Sequence, residues 1–378
     1  MKLNSFKLPL IAIATLLAAA CGSNSKTNVS GDIETNSDSI IVRSILLDRS
    51  EADRDTIALD NGHFDIKVND SVPVWVNIMP MPRNEEERKT TISSKLLMLP
   101  GDNIKLSGSL EDLKISGSKL YDALEGTEFY ELYKENDALR REMSKVFRTI
   151  NDENRNTLDS LLDLSQEMDK KLNLSAMALV KKQPGNIASG FATLKMFDKD
   201  CMEAMQILHE DVINGPMKLV IESNVTAKQK SMEKQKEWDK ITAGMQAPDF
   251  KLKDLNGEEK TLASFKGKYV ALEFWGTWCP WCIKGLPMMR TYYAKYKSDI
   301  EFVSVCCRDT DEAWRKCVEK NDLRWTQLFN GDNKEILKYY GILGFPSKII
   351  IDKEGKIVEK YLDEEDTFYQ KLDELFGK

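Results

Sequence analysis

Histidine is nearly absent from this chain, with two in 378 residues, His63 and His209. Both lie far from the only closely spaced Cys-x-x-Cys, Cys279 and Cys282 in "EFWGTWCPWC" (273–282), and no second such pair follows. A tetrahedral zinc site takes four Cys or His ligands, so metal binding is disfavoured and no metal site is expected. Runs of positive charge are missing too. Lys and Arg total 54 against 61 Asp and Glu, for a net charge of -7, and no basic stretch could follow a phosphate backbone, which argues against nucleic acid as a partner. Beyond residue 20 there is no apolar run near the roughly 20 residues that a membrane-spanning helix needs. The seven cysteines are not spaced as in a disulfide-rich scaffold. A chain of this length, enough for about two or three domains, can bury its core without such staples.

The N-terminus departs from this soluble texture. Lys2 and Lys7 precede an uncharged run over 8–20 that ends in small residues, the pattern of an export signal. "LLAAACGS" places Cys21 directly after three alanines and resembles a bacterial lipobox. That resemblance implies a lipidated Cys21 as first mature residue and a periplasmic protein anchored to an envelope membrane, the outer membrane. Ala18 stands where leucine is usual, and cleavage beside an incidental cysteine is the alternative. The polar stretch behind it reads as a tether over 21–30.

Three textures follow. Over 31–118, short apolar alternations such as "SIIVRSILL", "HFDIKVN", "VPVWVNIM" and "NIKLSG", parted by Asn-Gly, Pro-Gly and acidic turns, predict a small β-sandwich. Over 119–240, apolar residues at three- and four-residue spacing with dense charge between them predict paired helices, interrupted at Pro184-Gly185. The charged stretch 226–240 reads as a solvated helix face or linker. Over 241–378, a hairpin, a short helix and the buried strand "YVALEFW" lead to the cysteines. A helix, the strand "IEFVSVCC", helices near 311–321 and 333–341, a closing hairpin and a terminal helix come after. That alternation implies a mixed sheet covered on both faces.

Cys279 falls at the first turn of a predicted helix, where unpaired N–H groups and the positive dipole end favour thiolate over thiol. Cys282 lies on the same helical face, close enough to close a ring. Attack by Cys279 on a disulfide, followed by attack of Cys282 on the mixed disulfide, is a two-electron exchange that needs no cofactor. A purely structural disulfide across so short a loop would stabilise little. A peroxidase reading is prompted by "APDFKLKDLNG", but the Pro-x-x-x-Thr-x-x-Cys arrangement of those enzymes is missing. Cys201, Cys306, Cys307 and Cys317 read as small buried hydrophobes, with Cys306 and Cys307 facing opposite sides of their strand.

Two family resemblances add to this. "NGHFDIKV", "LMLPGDNIKLSG" and "LKISGS" resemble the β-rich domain of unknown function that precedes thioredoxin-like modules in bacterial envelope lipoproteins. Phe274, Trp275, Trp278, Cys279, Cys282, Pro287 and "GILGFPSKIIIDKEG" resemble thioredoxin-fold thiol-disulfide oxidoreductases of the TlpA and ResA branch, over about a third of the chain. The resemblance implies that Pro346 is cis and faces the cysteines, that Phe345 contacts extended substrate beside Trp278 and Trp281, and that Glu273 is a buried acid handling the proton of Cys282. An acid paired with a lysine at the strand margin is the alternative for Glu273. It implies as partners disulfide-containing envelope proteins and an upstream membrane electron donor. Gly285 stands where the ResA branch often has glutamate, which weighs against dedicated cytochrome c maturation. Pro280-Trp281 lacks the histidine of strong oxidants, which favours a reductase or isomerase. The rival class is an envelope partner-binding or stress-related lipoprotein whose redox domain is an accessory.

Overall fold

The computed structural model describes residues 27–68, 71–151, 153–364 and 366–377. The predicted export signal over 1–20 and Cys21 lie outside the described residues. The expected tether over 21–30 is corrected at its end, because Thr27–Glu34 is strand β1 and pairs on both sides. Its polar sequence hid it. Gly31 allows the close approach, since a Cβ there would lie 2.5 Å from the Leu106 carbonyl oxygen of the neighbouring strand.

The β-rich region is a sandwich of two four-stranded sheets. One sheet runs in the order β4 (His63–Val68), β1, β7 (Asn103–Ser109) and β8 (Asp112–Ser116). The other runs β3 (Glu51–Ala58), β2 (Ser39–Ile45), β5 (Val74–Pro80) and β6 (Ser94–Met98). Alternation does what the sequence predicts: Val74, Val76 and Ile78 of β5 turn inward to meet Ile104 and Leu106 of β7 in one core. Strand β3 was not anticipated. It is an edge strand of charged, exposed residues, so it carries no inward alternation to read. Asn61 and Gly62, both at positive φ, close the predicted Asn-Gly turn through reciprocal backbone bonds between Asp60 and His63.

Helix α1 (Glu85–Thr90) is a short excursion between β5 and β6. The helical region comprises α2 (Lys119–Leu124), the antiparallel pair α3 (Glu128–Arg148) and α4 (Arg155–Lys182), α5 (Ile187–Ala192), α6 (Asp198–Ala204), α7 (Glu210–Ile213) and α8 (Lys218–Lys240). The break at Pro184-Gly185 separates α4 from α5 as expected. One continuous core runs from Val29 through the sandwich to Ile221 of α8, so sandwich and helices pack as one unit. The charged second half of α8 is an exposed helix face until Trp238, which enters the next core.

The C-terminal sheet has seven strands in the order β10 (Glu259–Thr261), β9 (Lys251–Asp254), β13 (Thr326–Gly331), β12 (Ile300–Cys307), β11 (Tyr269–Trp275), β14 (Ser347–Ile351) and β15 (Ile357–Leu362). Strands β11, β12 and β13 are parallel; the others join antiparallel. Strand β13 was missed by the sequence reading, which passed from one helix to the next. One face, with Val270, Leu272, Phe274, Val303, Val305 and Ile349, packs under α11 (Glu335–Tyr339) and Trp238. The opposite face packs under α9 (Pro280–Tyr296), α10 (Asp311–Lys320) and α12 (Asp366–Phe376). This is the mixed sheet covered on both faces that the alternation implied, in a thioredoxin fold. Among the described residues, no helix is long and apolar enough to cross a membrane.

Candidate active site

Strand β11 ends at Trp275, and a short turn delivers Cys279 as the N-cap of α9, with Pro280 in the first helical turn. Proline suits that position because its missing N–H would have no partner there. The Sγ of Cys279 accepts from the Cys282 backbone N–H at 3.1 Å, so the sulfur itself caps the helix. Cys279 and Cys282 are joined in a disulfide with Cα atoms 5.2 Å apart, and both are buried.

The opposite wall is the loop before β14. The Phe345–Pro346 peptide is cis, and the Phe345 carbonyl oxygen lies 3.4 Å from Cys279 Sγ. Trp278 is 42% exposed and meets the Phe345 ring edge-on at 5.3 Å, while its Nε1 donates to the Cys307 carbonyl at 3.1 Å. Gly276 makes room for it, since a Cβ there would stand 2.5 Å from that indole nitrogen. The structure therefore brings together Cys279, Cys282, Trp278, Phe345 and Pro346. Trp281 is turned elsewhere. It is half-buried against Leu158 and Leu162 of α4 and Val146 of α3, so it is a contact to the helical region rather than a second exposed ring.

Glu273 is buried on the α9 face of β11. Burial pushes its carboxyl above the usual range; Lys348 and a 2.6 Å hydrogen bond from Ser304 Oγ oppose that shift, and Glu364 adds to it. Lys348, directly opposite Glu273 across the β11–β14 ladder, forms a buried ion pair with Glu364. Tyr369 donates to the same carboxylate at 2.5 Å. A Cβ on Gly285 would collide with the Glu364 carboxylate. An acid thus occupies the space beside Gly285, supplied from another part of the chain, which a local reading of the sequence does not show.

Asp309 was also missed. It follows β12, whose C-terminal end lies beside that of β11, and its carboxylate accepts from the Thr277 N–H at 2.7 Å, anchoring the turn before Cys279. The remaining described cysteines are free, and burial dominates each. It pushes Cys307 up to about 12 and Cys201 and Cys317 each up to about 11, and raises Cys306 as well. Cys306 faces the core of Cys279 and Cys282, and Cys307 faces the other, as strand alternation requires.

Residues 243–360 match the AhpC/TSA family. The thiol-disulfide oxidoreductase ResA of Bacillus thuringiensis is 36% identical over 141 residues, which is 37% of this chain and 80% of that protein. The thioredoxin-like protein YneN of Bacillus subtilis is 35% identical over 120 residues, 31% of this chain and 69% of that one. Among solved structures, the thioredoxin domain of a thiol-disulfide oxidoreductase from Bacteroides vulgatus is 33% identical, covers 36% of this chain and 98% of its own, and superposes with a TM-score of 0.34. With the two cysteines at the head of α9 and the ResA relatives matched over most of their length, the chain belongs, through its C-terminal domain, to the ResA-like family of thiol-disulfide oxidoreductases.

Proposed function

We propose that this oxidoreductase exchanges disulfides with exported proteins as a reductase or isomerase, through Cys279 and Cys282. The observation that carries this reading is the position of Cys279. It caps α9, within 3.4 Å of the Phe345 carbonyl oxygen and beside the cis Pro346, where an extended substrate strand can lie next to the sulfur. In the reduced enzyme the Cys279 thiolate attacks a substrate disulfide. A bond forms between Cys279 Sγ and one substrate sulfur, the substrate S–S bond breaks, and the other substrate sulfur leaves as a thiolate that takes up a proton. Glu273 accepts the proton of Cys282, whose thiolate then attacks Cys279 Sγ. The Cys279–Cys282 disulfide forms and the second substrate thiolate departs.

Two electrons have passed from the enzyme to the substrate. An upstream dithiol donor at the membrane returns them. Phe345 and Trp278 flank the substrate strand, and Pro346 keeps the Phe345 carbonyl open to it. The export signal and Cys21 support a lipid-anchored, periplasmic setting at the outer membrane. Replacing Cys279 by Ser should abolish the enzyme's acceleration of insulin reduction by dithiothreitol, leaving the uncatalysed rate, while Cys282→Ala should accumulate covalent mixed disulfides with exported proteins. Retained turnover in Cys279→Ser would overturn the mechanism.

A further inference from the structure

The first turn of α9 carries both sulfurs, and one of its carbonyls is denied its normal partner. In an α-helix the carbonyl of residue 283 accepts from the N–H of residue 287, but residue 287 is a proline within α9 and has no N–H to give. The orphaned oxygen belongs to Ile283, the residue after Cys282. It does not go without a donor. Arg155, the first residue of α4 and 128 positions away in sequence, donates from its guanidinium to the Ile283 carbonyl oxygen at 2.9 Å.

The contact is part of a wider grip on the same turn. Lys284 pairs with Asp163 of α4 at 2.6 Å, and its ammonium stands 5.0 Å from the Trp281 ring centre. Trp281 packs against Leu158 and Leu162 of α4. Residues 281, 283 and 284 of α9 are thus held by one stretch of α4, through an apolar, a hydrogen-bonded and an ionic contact.

We infer that Arg155 is a positioning residue for the redox pair: it supplies to the Ile283 carbonyl the hydrogen bond that Pro287 withholds, and so makes the helical region a structural part of the active-site turn. The inference rests on the reading of Cys279 as nucleophile. A guanidinium at this carbonyl keeps the first turn closed, so that the N–H of Cys282 stays aimed at Cys279 Sγ. Its own charge stands among Asp159, Asp163 and Lys284, so its effect on the sulfur comes through the geometry of the turn. A thiolate accepts that N–H more strongly than a thiol or a disulfide sulfur does, so a reduced dithiol with its charge on Cys279 gains from the closed turn.

The test is a double-mutant cycle in the full chain between two residues linked only through one carbonyl. Arg155→Ala should move the midpoint of the pH profile for iodoacetamide alkylation of Cys279 upward, and shift the equilibrium with glutathione about three- to tenfold toward the disulfide. Arg155→Lys should recover part of both changes. In a Pro287→Ala background, the substituted alanine supplies the missing N–H, and Arg155→Ala should have a clearly smaller effect on both readouts. An unchanged profile and glutathione equilibrium in folded Arg155→Ala would overturn the inference, as would equal effects in the two backgrounds. If Arg155→Ala fails to fold, the Arg155→Lys pair in the two backgrounds decides by the same criterion. The outcomes stay separate from those of the mechanism, because Cys279→Ser is read by turnover and Arg155→Ala by the titration of a working cysteine.

Discussion

The two faces of the C-terminal sheet are built from the same three central strands, and only one of them buries charge within its apolar core. On one face β11, β12 and β14 present Val270, Leu272, Phe274, Val303, Val305, Ile349 and Ile351, without a charge among them. On the other, the matched positions Glu273, Ser304 and Lys348 form a polar row across the same strands, completed by Glu364. The row is well partnered: Trp325 Nε1 donates to Ser304 Oγ at 2.8 Å, Ser304 donates to Glu273, and Lys348 and Tyr369 hold Glu364. An ion pair taken out of water returns little net stability even when satisfied. Both faces bury an apolar core, and the one under the cysteines, with Ala271, Trp275, Phe302 and Ile350 beside the row, also spends stability on control of charge.

The strongest way to break this contrast is Lys348→Met. The two side chains of the Lys348–Glu364 pair are only 1% and 8% exposed, so losing the cation leaves a buried carboxylate with Tyr369 as its remaining partner. A loss of about 3–5 kcal/mol in chemical denaturation is expected. The double variant Lys348→Met with Glu364→Leu should recover most of it, because removing both charges removes the desolvation problem as well. A loss below about 1 kcal/mol for the single variant would mean that the polar face carries no burden. Ile349→Ala, its neighbour in sequence on the apolar face, is the control and should cost about 2–5 kcal/mol with no polar partner able to restore it.

A smaller effect is expected at Gly285. Alanine has the higher helix propensity, by roughly 1 kcal/mol, so on an open helix face the change would stabilise. Here the new Cβ meets the Glu364 carboxylate, and a loss of about 1–3 kcal/mol should appear instead. In a Glu364→Ala background the same substitution should turn neutral or stabilising. A stabilising Gly285→Ala in the parent chain would show that Glu364 can move away, and the contrast between the faces would weaken.

How much of this was legible follows from the range of the interactions. The turn, the two cysteines and the start of the helix behind them are written in ten consecutive residues, the alternation of β5 is read from neighbours two apart, and β11 is read from its apolar run. Glu273 stood out because it interrupts an apolar run. Lys348 did not, since "SKIII" reads as a polar strand start, and nothing local shows that the strand opposite places Glu273 beside it. The Arg155–Ile283 bond was equally hidden, because a helix-starting arginine looks the same whether it meets solvent or a carbonyl 128 residues away. Strand β1 was lost in a polar tether, because only Val29 and Ile33 around Gly31 mark its inward face, and β3 was lost in its charges, because pairing and not a burial pattern makes it a strand.

The finest test of the polar face is the pH dependence of Glu273. Its carboxyl titrates above the usual range in the folded chain, mainly through burial, and near about 4.3 when unfolded. Below the unfolded value both states hold the proton and the group contributes no difference. As pH rises past it, the unfolded chain ionises first, so stability falls until the folded carboxyl also releases its proton, and is level above that. Glu273→Gln has no such titration. Glutamine keeps an acceptor for Ser304, so the variant should gain on the parent as pH rises above the unfolded carboxyl's value of about 4.3. The same variant should slow release of the mixed disulfide about a hundredfold if Glu273 takes the Cys282 proton. Urea denaturation from pH 4 to 8 reads the first effect and rapid quench of the mixed disulfide the second. A parent-minus-variant difference that is flat across that range would mean Glu273 is no more burdened than the apolar residues behind it.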